Sequence, residues 1–194
     1  MSPARRLPGS RGADYYVDAW RRGPSRLVKR ALRRARRRGH ALDLGCGVGQ
    51  DAIHLARSGY QVLAVDRHPG AIKFLLANRV PGVKGRCADI RRIRPRAGHY
   101  DLVHASLSLP FVGPDGLEPM VRRIERALRP GGILSCHLFG PDHTWNGRGA
   151  DIAFVARPDL AELLAGFRIL ELTEFRPGRR GVHHLYEVIA RRRR

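Results

Sequence analysis

The sequence has no long apolar run, no clustered cysteines and almost no lysine. No apolar run reaches the roughly 18 residues that a membrane-spanning helix needs, so we expect no transmembrane segment. The N-terminus is basic but has no apolar segment behind it, which argues against a secretory signal peptide. Cys46, Cys87 and Cys136 lie far apart and form no CxxC pair. We therefore expect reduced thiols, no metal site and a cytoplasmic protein.

The scarcity of lysine is matched by an excess of arginine. Of the 37 basic residues only three are Lys, and the formal net charge is +20. Such a skew is typical of a GC-rich genome and suggests a bacterial source. The charge is concentrated in residues 5–38 and in Arg191–Arg194. A basic N-terminal helix could contact RNA or another polyanion, but charge runs are more often solvated faces or frayed ends.

The apolar pattern divides the chain into a basic N-terminal part and one domain. Residues 14–38 have helical periodicity that Gly23-Pro24 interrupts, and we expect Gly39 to end this region. We predict that residues 1–38 form a basic helical extension or lid. The remaining residues, 39–194, fit a single domain by length.

Within residues 39–194, short apolar strands alternate with amphipathic helices. We predict strands at residues 40–44, 61–65, 83–88, 100–106, 133–139, 168–175 and 184–190, and helices at 49–58, 70–79, 117–128 and 160–167. This alternation predicts an α/β fold, a parallel sheet with helices on both faces. The connection 176–183 is too short for a parallel crossover, so the last two strands should be antiparallel neighbours.

A glycine-rich turn, Asp43-Leu44-Gly45-Cys46-Gly47-Val48-Gly49, joins the first strand to the first helix of this domain. Glycine lets the chain turn sharply and pass close to a ligand. A dinucleotide site would have the pattern GxGxxG, whereas here Gln50 occupies the last glycine position. The Asp43 carboxylate is poorly placed beside a diphosphate and well placed to meet an ammonium group. The turn therefore favours a ligand with a cationic amino-acid end over NAD.

Two further acidic residues follow the next two strands. Asp66 lies about twenty residues after the glycine turn, where a carboxylate accepts hydrogen bonds from both ribose hydroxyls of an adenosine. Asp89 follows the third strand and can meet the adenine amine, with Ile90 packed on the ring. The ends of parallel strands share one edge of the sheet, where open α/β sheets bind ligands.

Together these motifs resemble those of the class I S-adenosylmethionine-dependent methyltransferase family over residues 40–140. The resemblance also includes Tyr100-Asp101-Leu102-Val103-His104-Ala105-Ser106 and Leu128-Arg129-Pro130-Gly131-Gly132. It implies a Rossmann-like, doubly wound, seven-stranded sheet in the order 3-2-1-4-5-7-6 with strand 7 antiparallel. It also implies S-adenosylmethionine as cofactor, S-adenosylhomocysteine as product, and a cofactor site made of Asp43, Gly45, Cys46, Gly47, Gly49, Asp66, Arg67, Asp89, Ile90, His104 and Ala105.

The C-terminal third is similar to small-molecule branches of that family. The segment Phe139-Gly140-Pro141-Asp142-His143-Thr144-Trp145 and the strand pair after it resemble the tellurite-resistance and thiopurine methyltransferase-like enzymes. This resemblance implies that the methyl acceptor is a small molecule.

Several side chains are candidates for catalysis or substrate binding. His104 and His143 are candidate general bases because imidazole titrates near neutral pH, although each could equally be a wall residue. Asp142 and Trp145 are predicted to face the acceptor. Three aromatic residues could close over the cofactor as a lid or simply pack between helices: Tyr15, Tyr16 and Trp20. Asp51 could contact the cofactor or pair near the helix start.

The predicted reaction is in-line transfer of a methyl group to O, N or S of a small molecule, in secondary metabolism or detoxification. With arginines abundant near the site, an anionic acceptor is favoured. The alternatives are an RNA or protein methyltransferase that uses the basic N-terminal region, and a binding protein or cyclase on the same fold. Against RNA, Leu107-Ser108-Leu109-Pro110-Phe111 differs from the Asn-Pro-Pro-Tyr type of motif used on base amines. The sequence leaves the oligomeric state open.

Overall fold

A computed structural model describes residues 20–147, 151–176 and 183–194 of the chain. The α-helices with both ends inside these residues are α1 (Arg26–Arg34), α2 (Gln50–Arg57), α3 (Pro69–Ala77), α4 (Pro114–Ala127) and α5 (Leu160–Leu163). The strands in the described part of the chain are β1 (His40–Leu44), β2 (Gln61–Asp66), β3 (Val83–Cys87), β4 (Tyr100–Ala105), β5 (Leu128–Phe139), β6 (Phe167–Phe175) and β7 (Leu185–Arg192). Short 3-10 helices cover Ile90–Arg92 and Leu109–Val112.

The strands form one sheet in the order β3-β2-β1-β4-β5-β7-β6. Strands β1 to β5 pair in parallel, whereas β7 runs antiparallel to both β5 and β6. The predicted fold class, strand order and antiparallel C-terminal pair are therefore confirmed. The order reverses between β1 and β4, which opens a crevice at the carboxyl ends of these strands.

Helices cover both faces of the sheet and divide the core in two. On one face, α4 and α5 pack against β4, β5 and β7 through apolar residues such as Met120, Ile124 and Leu160. On the other face, α1 packs against β5 and β7, and α2 and α3 pack against β1, β2 and β3. Leu27, Leu55 and Leu75 are among the buried residues of this half of the core. The apolar stripes of the sequence thus become the buried faces of the helices.

Helix α1 is shorter than its sequence pattern suggested. Ser25 caps its N-terminus, because its hydroxyl accepts a hydrogen bond from the Val28 N–H at 3.0 Å. The helix ends at Arg34, and the backbone at Ala35 is already extended, so the predicted continuation to residue 38 is wrong. Its Leu27, Val28, Ala31 and Leu32 are all buried against the sheet.

Two other boundaries also differ from the prediction. Helix α5 covers only Leu160–Leu163 rather than residues 160–167, because Phe167 already pairs with Arg192 in the sheet. Strand β5 begins at Leu128, but its pairing with β4 is interrupted between Tyr100 and Leu102. The segment Pro130-Gly131-Gly132 forms this irregularity, with Gly131 at φ 82°. In the part of the chain that the structure describes, none of the helices is both long and apolar enough to cross a membrane.

Candidate functional site

A cavity of about 850 Å³ lies at the carboxyl edge of the sheet, beside the glycine turn. Carboxylates lie where β1, β2 and β3 end, on one side of the reversal in strand order, and aromatic rings lie after β4 and β5 on the other side. The cavity thus has a carboxylate end and an aromatic end. The predicted cofactor residues on its wall are Asp43, Gly45, Cys46, Gly47, Asp66, Arg67, Asp89 and Ile90. Residues far apart in the sequence thus meet where the strand order reverses.

Backbone hydrogen bonds hold the glycine turn in a tight conformation. Gly45 and Cys46 donate N–H bonds to the Val65 carbonyl at 2.8 and 3.0 Å, which ties the end of β1 to β2. Gly45 and Gly49 both have positive φ, at 74° and 83°. A Cβ added to Gly45 would lie 2.4 Å from the Ser108 Cβ, and one on Gly49 would lie 2.2 Å from the Leu75 Cδ1. These two glycines are required by packing within the protein.

Gly47 differs from the other two glycines of the turn. Its φ is also positive, at 53°, but no described atom lies within 4 Å of the position that a Cβ would take. Gly47 lines the cavity, so the missing side chain leaves room for a ligand.

Asp43 lies on the cavity wall and is almost fully buried. Its Oδ2 has no hydrogen-bond partner among the described residues. Burial raises the pKa of its carboxyl group to about 7, against the opposing effect of His104. A buried carboxylate oxygen without a donor calls for a cationic or hydrogen-bonding ligand.

Asp66, at the end of β2, holds the glycine turn in place through a hydrogen bond to its backbone. Its Oδ2 accepts a hydrogen bond from the Gly47 N–H at 2.8 Å, and its Oδ1 accepts one from the His68 N–H at 2.9 Å. A carboxylate has about four lone-pair positions, so both oxygens can accept further bonds from a ligand. Asp66 therefore has the geometry of a hydroxyl-binding group whose orientation the backbone fixes.

The Asp89 carboxylate makes hydrogen bonds within the protein that the sequence did not suggest. It caps the 3-10 helix Ile90–Arg92, and its carboxylate accepts bonds from both the backbone and the guanidinium of Arg91. The hydrogen bonds to Arg91 lower the pKa of Asp89. An adenine amine at this position would therefore share the Asp89 carboxylate with Arg91.

A buried ion pair lies behind the glycine turn. The His104 ring has no exposed surface, and its Nε2 contacts the Asp51 Oδ2 at 2.8 Å while its Nδ1 contacts the Ser135 Oγ at 2.6 Å. Burial alone would lower the pKa of His104, but the hydrogen bond and charge of Asp51 raise it above its usual value. The other oxygen of Asp51 accepts a bond from the Ser25 N–H at 2.7 Å. The pair therefore links β4 and α2 to the start of α1.

Aromatic rings form the other end of the cavity. Phe111, Phe139, His143, Trp145 and His183 all line it. The His143 ring is stacked between Phe139, at 4.1 Å between centroids, and His183, at 4.4 Å. Burial and the two neighbouring histidines lower the pKa of His143 to about 4, so its imidazole is neutral at pH 7. We call these five residues the aromatic wall.

Leu107, directly after β4, is held in an unusual conformation beside this wall. Its φ is 52°, a left-handed value that costs a non-glycine residue roughly 1 kcal/mol or more. Its N–H donates to the His137 Nδ1 at 3.2 Å, and the His137 Nε2 contacts Glu187 at 3.4 Å. The Leu107 side chain is 53% exposed and lines the cavity. Strain of this kind is typical of ligand-contacting loops.

Comparison with known proteins agrees with this geometry. A family model described as a methyltransferase domain matches residues 41–132. The chain is 35% identical over 107 residues to trans-aconitate 2-methyltransferase of Paracidovorax citrulli, a match that covers 54% of this chain and 39% of that protein. It is 30% identical over 171 residues to malonyl-[acyl-carrier protein] O-methyltransferase of Enterobacter lignolyticus, covering 81% of this chain and 66% of that protein.

The chain belongs to the class I S-adenosylmethionine-dependent methyltransferase family. Its fold is shared with 1,6-didemethyltoxoflavin-N1-methyltransferase of Burkholderia thailandensis, solved with 1,6-didemethyltoxoflavin and S-adenosylhomocysteine. That comparison has a TM-score of 0.71 at 21% identity and covers 97% of this chain and 93% of that one. The matches span less than half the length of most of the curated relatives. The resemblance to the tellurite-resistance branch stays a prediction.

The residues present fit the cofactor of this methyltransferase family. The unpartnered Oδ2 of Asp43 suits the ammonium of the methionine part, and the open space at Gly47 admits a ligand next to the backbone. The carboxylate of Asp66 suits two ribose hydroxyls. By contrast, burial and the carboxylates of Asp43 and Asp66 raise the pKa of the Cys46 thiol, which disfavours a thiolate nucleophile there.

Several predicted site residues do not reach the cavity wall. His104 and Ala105 are buried within β4, and Gly49 packs against α3 instead of facing the cavity. Trp20 packs edge-on against Phe74 of α3, with 5.2 Å between ring centroids. Asp142 lies outside the wall, where its carboxylate contacts His184 and Arg176. Two predicted lid residues lie outside the described residues: Tyr15 and Tyr16.

Sequence reasoning missed other residues of the wall. Arg22, before α1, and Arg26, its first residue, line the cavity, and the segment after β4 contributes Leu107 and Phe111. Nothing in the local sequence signals that Arg22 lies near the glycine turn. Phe111 lies in the segment after β4, at a position where an aromatic side chain can face a ligand at the carboxyl edge of the sheet. Its aromatic character is therefore the one local signal that could have predicted its place in the cavity.

Proposed function

We propose that this methyltransferase transfers a methyl group to O, N or S of a small, flat, anionic molecule held against the aromatic wall. The single observation that supports this most is the division of one cavity into a carboxylate end and an aromatic end. The carboxylate end fits S-adenosylmethionine, and the aromatic end begins where β4 finishes. When bound, S-adenosylmethionine supplies an electrophilic methyl group on a sulfonium.

Charge at the rim of the cavity favours an anionic acceptor. Arg22, Arg26 and Arg91 line it, and Arg22 and Arg26 are exposed. Neither Arg22 nor Arg26 forms an ion pair within the described part of the chain. Two relatives are named for trans-aconitate and for malonyl groups, both of which carry carboxylates. Guanidinium groups bind carboxylates through paired hydrogen bonds.

The wall residues can orient an acceptor without a strong base. The Nδ1 of His143 accepts a hydrogen bond from the Trp145 N–H at 3.2 Å, which leaves the proton of the neutral ring on Nε2. With a pKa of about 4, His143 is a weak base at neutral pH. We infer that it donates a hydrogen bond from Nε2 to the acceptor, and that the acceptor's own proton passes to solvent. Positioning and exclusion of water then make the main contribution to the rate.

His104 is better suited to positioning than to direct proton transfer. Both of its ring nitrogens are occupied, and it has no exposed surface. We infer that the His104–Asp51 pair holds the glycine turn against the start of α1.

Replacing Asp66 tests the cofactor site. We expect Asp66→Ala to weaken S-adenosylmethionine binding by roughly 10- to 100-fold, the effect of losing charge-assisted hydrogen bonds. Calorimetric titration with S-adenosylmethionine measures this. Asp159→Ala is the matched control, because Asp159 is exposed and its side chain makes no capping bond at α5. Equal affinity in the Asp66 variant and the control would contradict the proposed site.

A turnover assay tests methyl transfer itself. The enzyme is incubated with panels of small carboxylates, other small acceptors and RNA, and S-adenosylhomocysteine release is measured. Release with an anionic aromatic or unsaturated acceptor supports the proposal, and release with RNA alone contradicts it. Tight cofactor binding with no release on any panel would favour the non-methylating alternative.

A further inference from the structure

A second cavity, of about 770 Å³, lies at the amino ends of the parallel strands, whereas the cofactor site lies at their carboxyl ends. It is lined by the turn at the start of β5, by the end of β7 and by the segment after α1. Arginines form most of its wall: Arg36, Arg37, Arg129, Arg168, Arg191, Arg192, Arg193 and Arg194. We call this cavity the arginine pocket.

Negative charge in the arginine pocket is scarce. Among the described residues that line it, Asp101 is the only acidic one. Asp101 is already engaged, because Arg129 donates to its Oδ2 at 3.0 Å and the His40 N–H donates to the same oxygen at 3.0 Å. The remaining arginines of the pocket therefore have no carboxylate partner on its wall.

Arg191 has buried hydrogen-bond donors without acceptors, which is independent evidence for an anion-binding site. Its Nε and one terminal nitrogen are buried without a hydrogen-bond partner among the described residues. Its other terminal nitrogen donates to the Arg34 carbonyl at 2.9 Å. Its neighbours are positively charged, namely Arg34, Arg36 and Arg168. Buried donors without acceptors are costly, so this arrangement favours an external anion.

The backbone fixes the guanidinium groups at the end of β7. Arg192 donates to the Leu128 carbonyl, and Arg193 donates to the carbonyls of Ala165 and Phe167. Donors held in place lose less conformational entropy when they bind a ligand. The pocket is therefore partly organised before any anion arrives.

We propose that the arginine pocket binds a compact anion that carries several linked phosphate groups. Arginine forks match phosphate oxygens in pairs, and linked phosphates supply enough acceptors for several forks within one cavity. The described wall contains no aromatic side chain on which nucleic-acid bases could stack. A concave wall of this size also suits a compact ligand better than a polymer backbone that crosses the surface.

This site is separate from the cofactor cavity. Strands β1 and β4 have five and six residues, and the two cavities lie at opposite ends of them. At about 3.3 Å per residue, this separation is roughly 15–20 Å. The proposal therefore holds whether or not the proposed methyl acceptor is correct.

Calorimetric titration with sodium tripolyphosphate tests the proposal at constant ionic strength. We expect one molecule to bind per chain, about tenfold or more tighter than inorganic phosphate, because several guanidinium groups act together. The double variant Arg36→Gln/Arg168→Gln removes two exposed pocket charges and should weaken binding by roughly 10- to 100-fold. The control Lys73→Gln/Lys84→Gln removes two exposed charges on α3 and β3, and we expect a change within about twofold.

Thermal unfolding provides a second readout that does not depend on catalysis. Tripolyphosphate should raise the unfolding midpoint of the unmodified chain and of the Lys73/Lys84 control, and raise that of Arg191→Gln much less. Equal weakening in both double variants would overturn the proposal, since binding would then reflect net charge alone. Tighter binding of polyuridylic acid than of tripolyphosphate, at equal phosphate concentration, would also overturn it in favour of an RNA surface.

Discussion

At the scale of single residues, Asp43 shows how burial prepares a carboxyl group for a cation. With a pKa of about 7, it is half protonated at neutral pH in the absence of a ligand. An ammonium placed against its unpartnered Oδ2 would favour the ionised form. Cofactor binding should therefore release a proton and depend on pH.

We predict that S-adenosylmethionine binds more tightly as the pH rises from 6 to 7.5. The ionised fraction of a group with a pKa near 7 grows roughly five- to tenfold over this range, and the association constant should follow it. Calorimetry in buffers of different ionisation enthalpy measures both the affinity and the released proton. In Asp43→Asn the affinity should be weaker and nearly constant with pH. A dependence of the same size in that variant would show that another group is responsible.

Two glycines of the turn, Gly45 and Gly49, are required by packing within the protein, whereas Gly47 faces the cavity. Gly49→Ala places a Cβ 2.2 Å from Leu75 at positive φ, and we expect a loss of stability of about 2–4 kcal/mol. Gly47→Ala meets no described atom, so only the left-handed strain of about 1 kcal/mol remains. Denaturant unfolding compares the two variants. If the methyl donor passes Gly47, Gly47→Ala should nevertheless lose the greater part of the cofactor affinity.

At the scale of secondary-structure elements, α1 connects the glycine turn to strands β6 and β7. Its Arg30 forms ion pairs with Glu171 of β6 and Glu187 of β7, at 2.9 and 2.5 Å. The start of α1 is tied to the glycine turn through Ser25 and Asp51. The helix is therefore packed as part of the sheet structure, and its arginines are partly committed to structural pairs.

We predict that Leu27→Ala in α1 destabilises the protein by about 2–4 kcal/mol, because Leu27 is only 1% exposed and its loss leaves a cavity. Leu76→Ala in α3 is the control. Leu76 is 46% exposed, so its truncation should cost less than about 1 kcal/mol. Urea unfolding followed by circular dichroism measures both. Similar values for the two variants would mean that α1 is not packed as described.

At the scale of the whole molecule, charge is distributed unevenly between the two edges of the sheet. The cofactor cavity is lined by four carboxylates, those of Asp43, Asp51, Asp66 and Asp89. The arginine pocket lies at the opposite ends of the parallel strands. The formal net charge of +20 makes the folded chain repel itself.

We predict that salt stabilises the folded protein. Raising sodium chloride from about 20 to 200 mM shortens the screening length to below about 10 Å and weakens repulsion between the arginines. The unfolding midpoint should rise by about 2–4 °C, which corresponds to about 1 kcal/mol for a domain of this size. Differential scanning calorimetry measures it. An unchanged or lower midpoint would indicate that stabilising ion pairs such as Arg30–Glu171 outweigh the repulsion.

The sequence by itself determined the order of the elements and the edge at which the cofactor site lies. Local signals are sufficient for this: apolar periodicity marks strands and helices, and Asp43, Gly47 and Asp66 follow from motif spacing. The antiparallel pairing of β6 and β7 followed from the length of one connection.

Only the tertiary structure decided which distant side chains meet. It brought Asp51 to His104, stacked His143 on His183, and gathered Arg36, Arg168 and Arg191 around one pocket. These contacts join elements separated by tens of residues, and no local spacing encodes them. They depend on how the helices pack on the sheet and on how burial then changes the charge of each group.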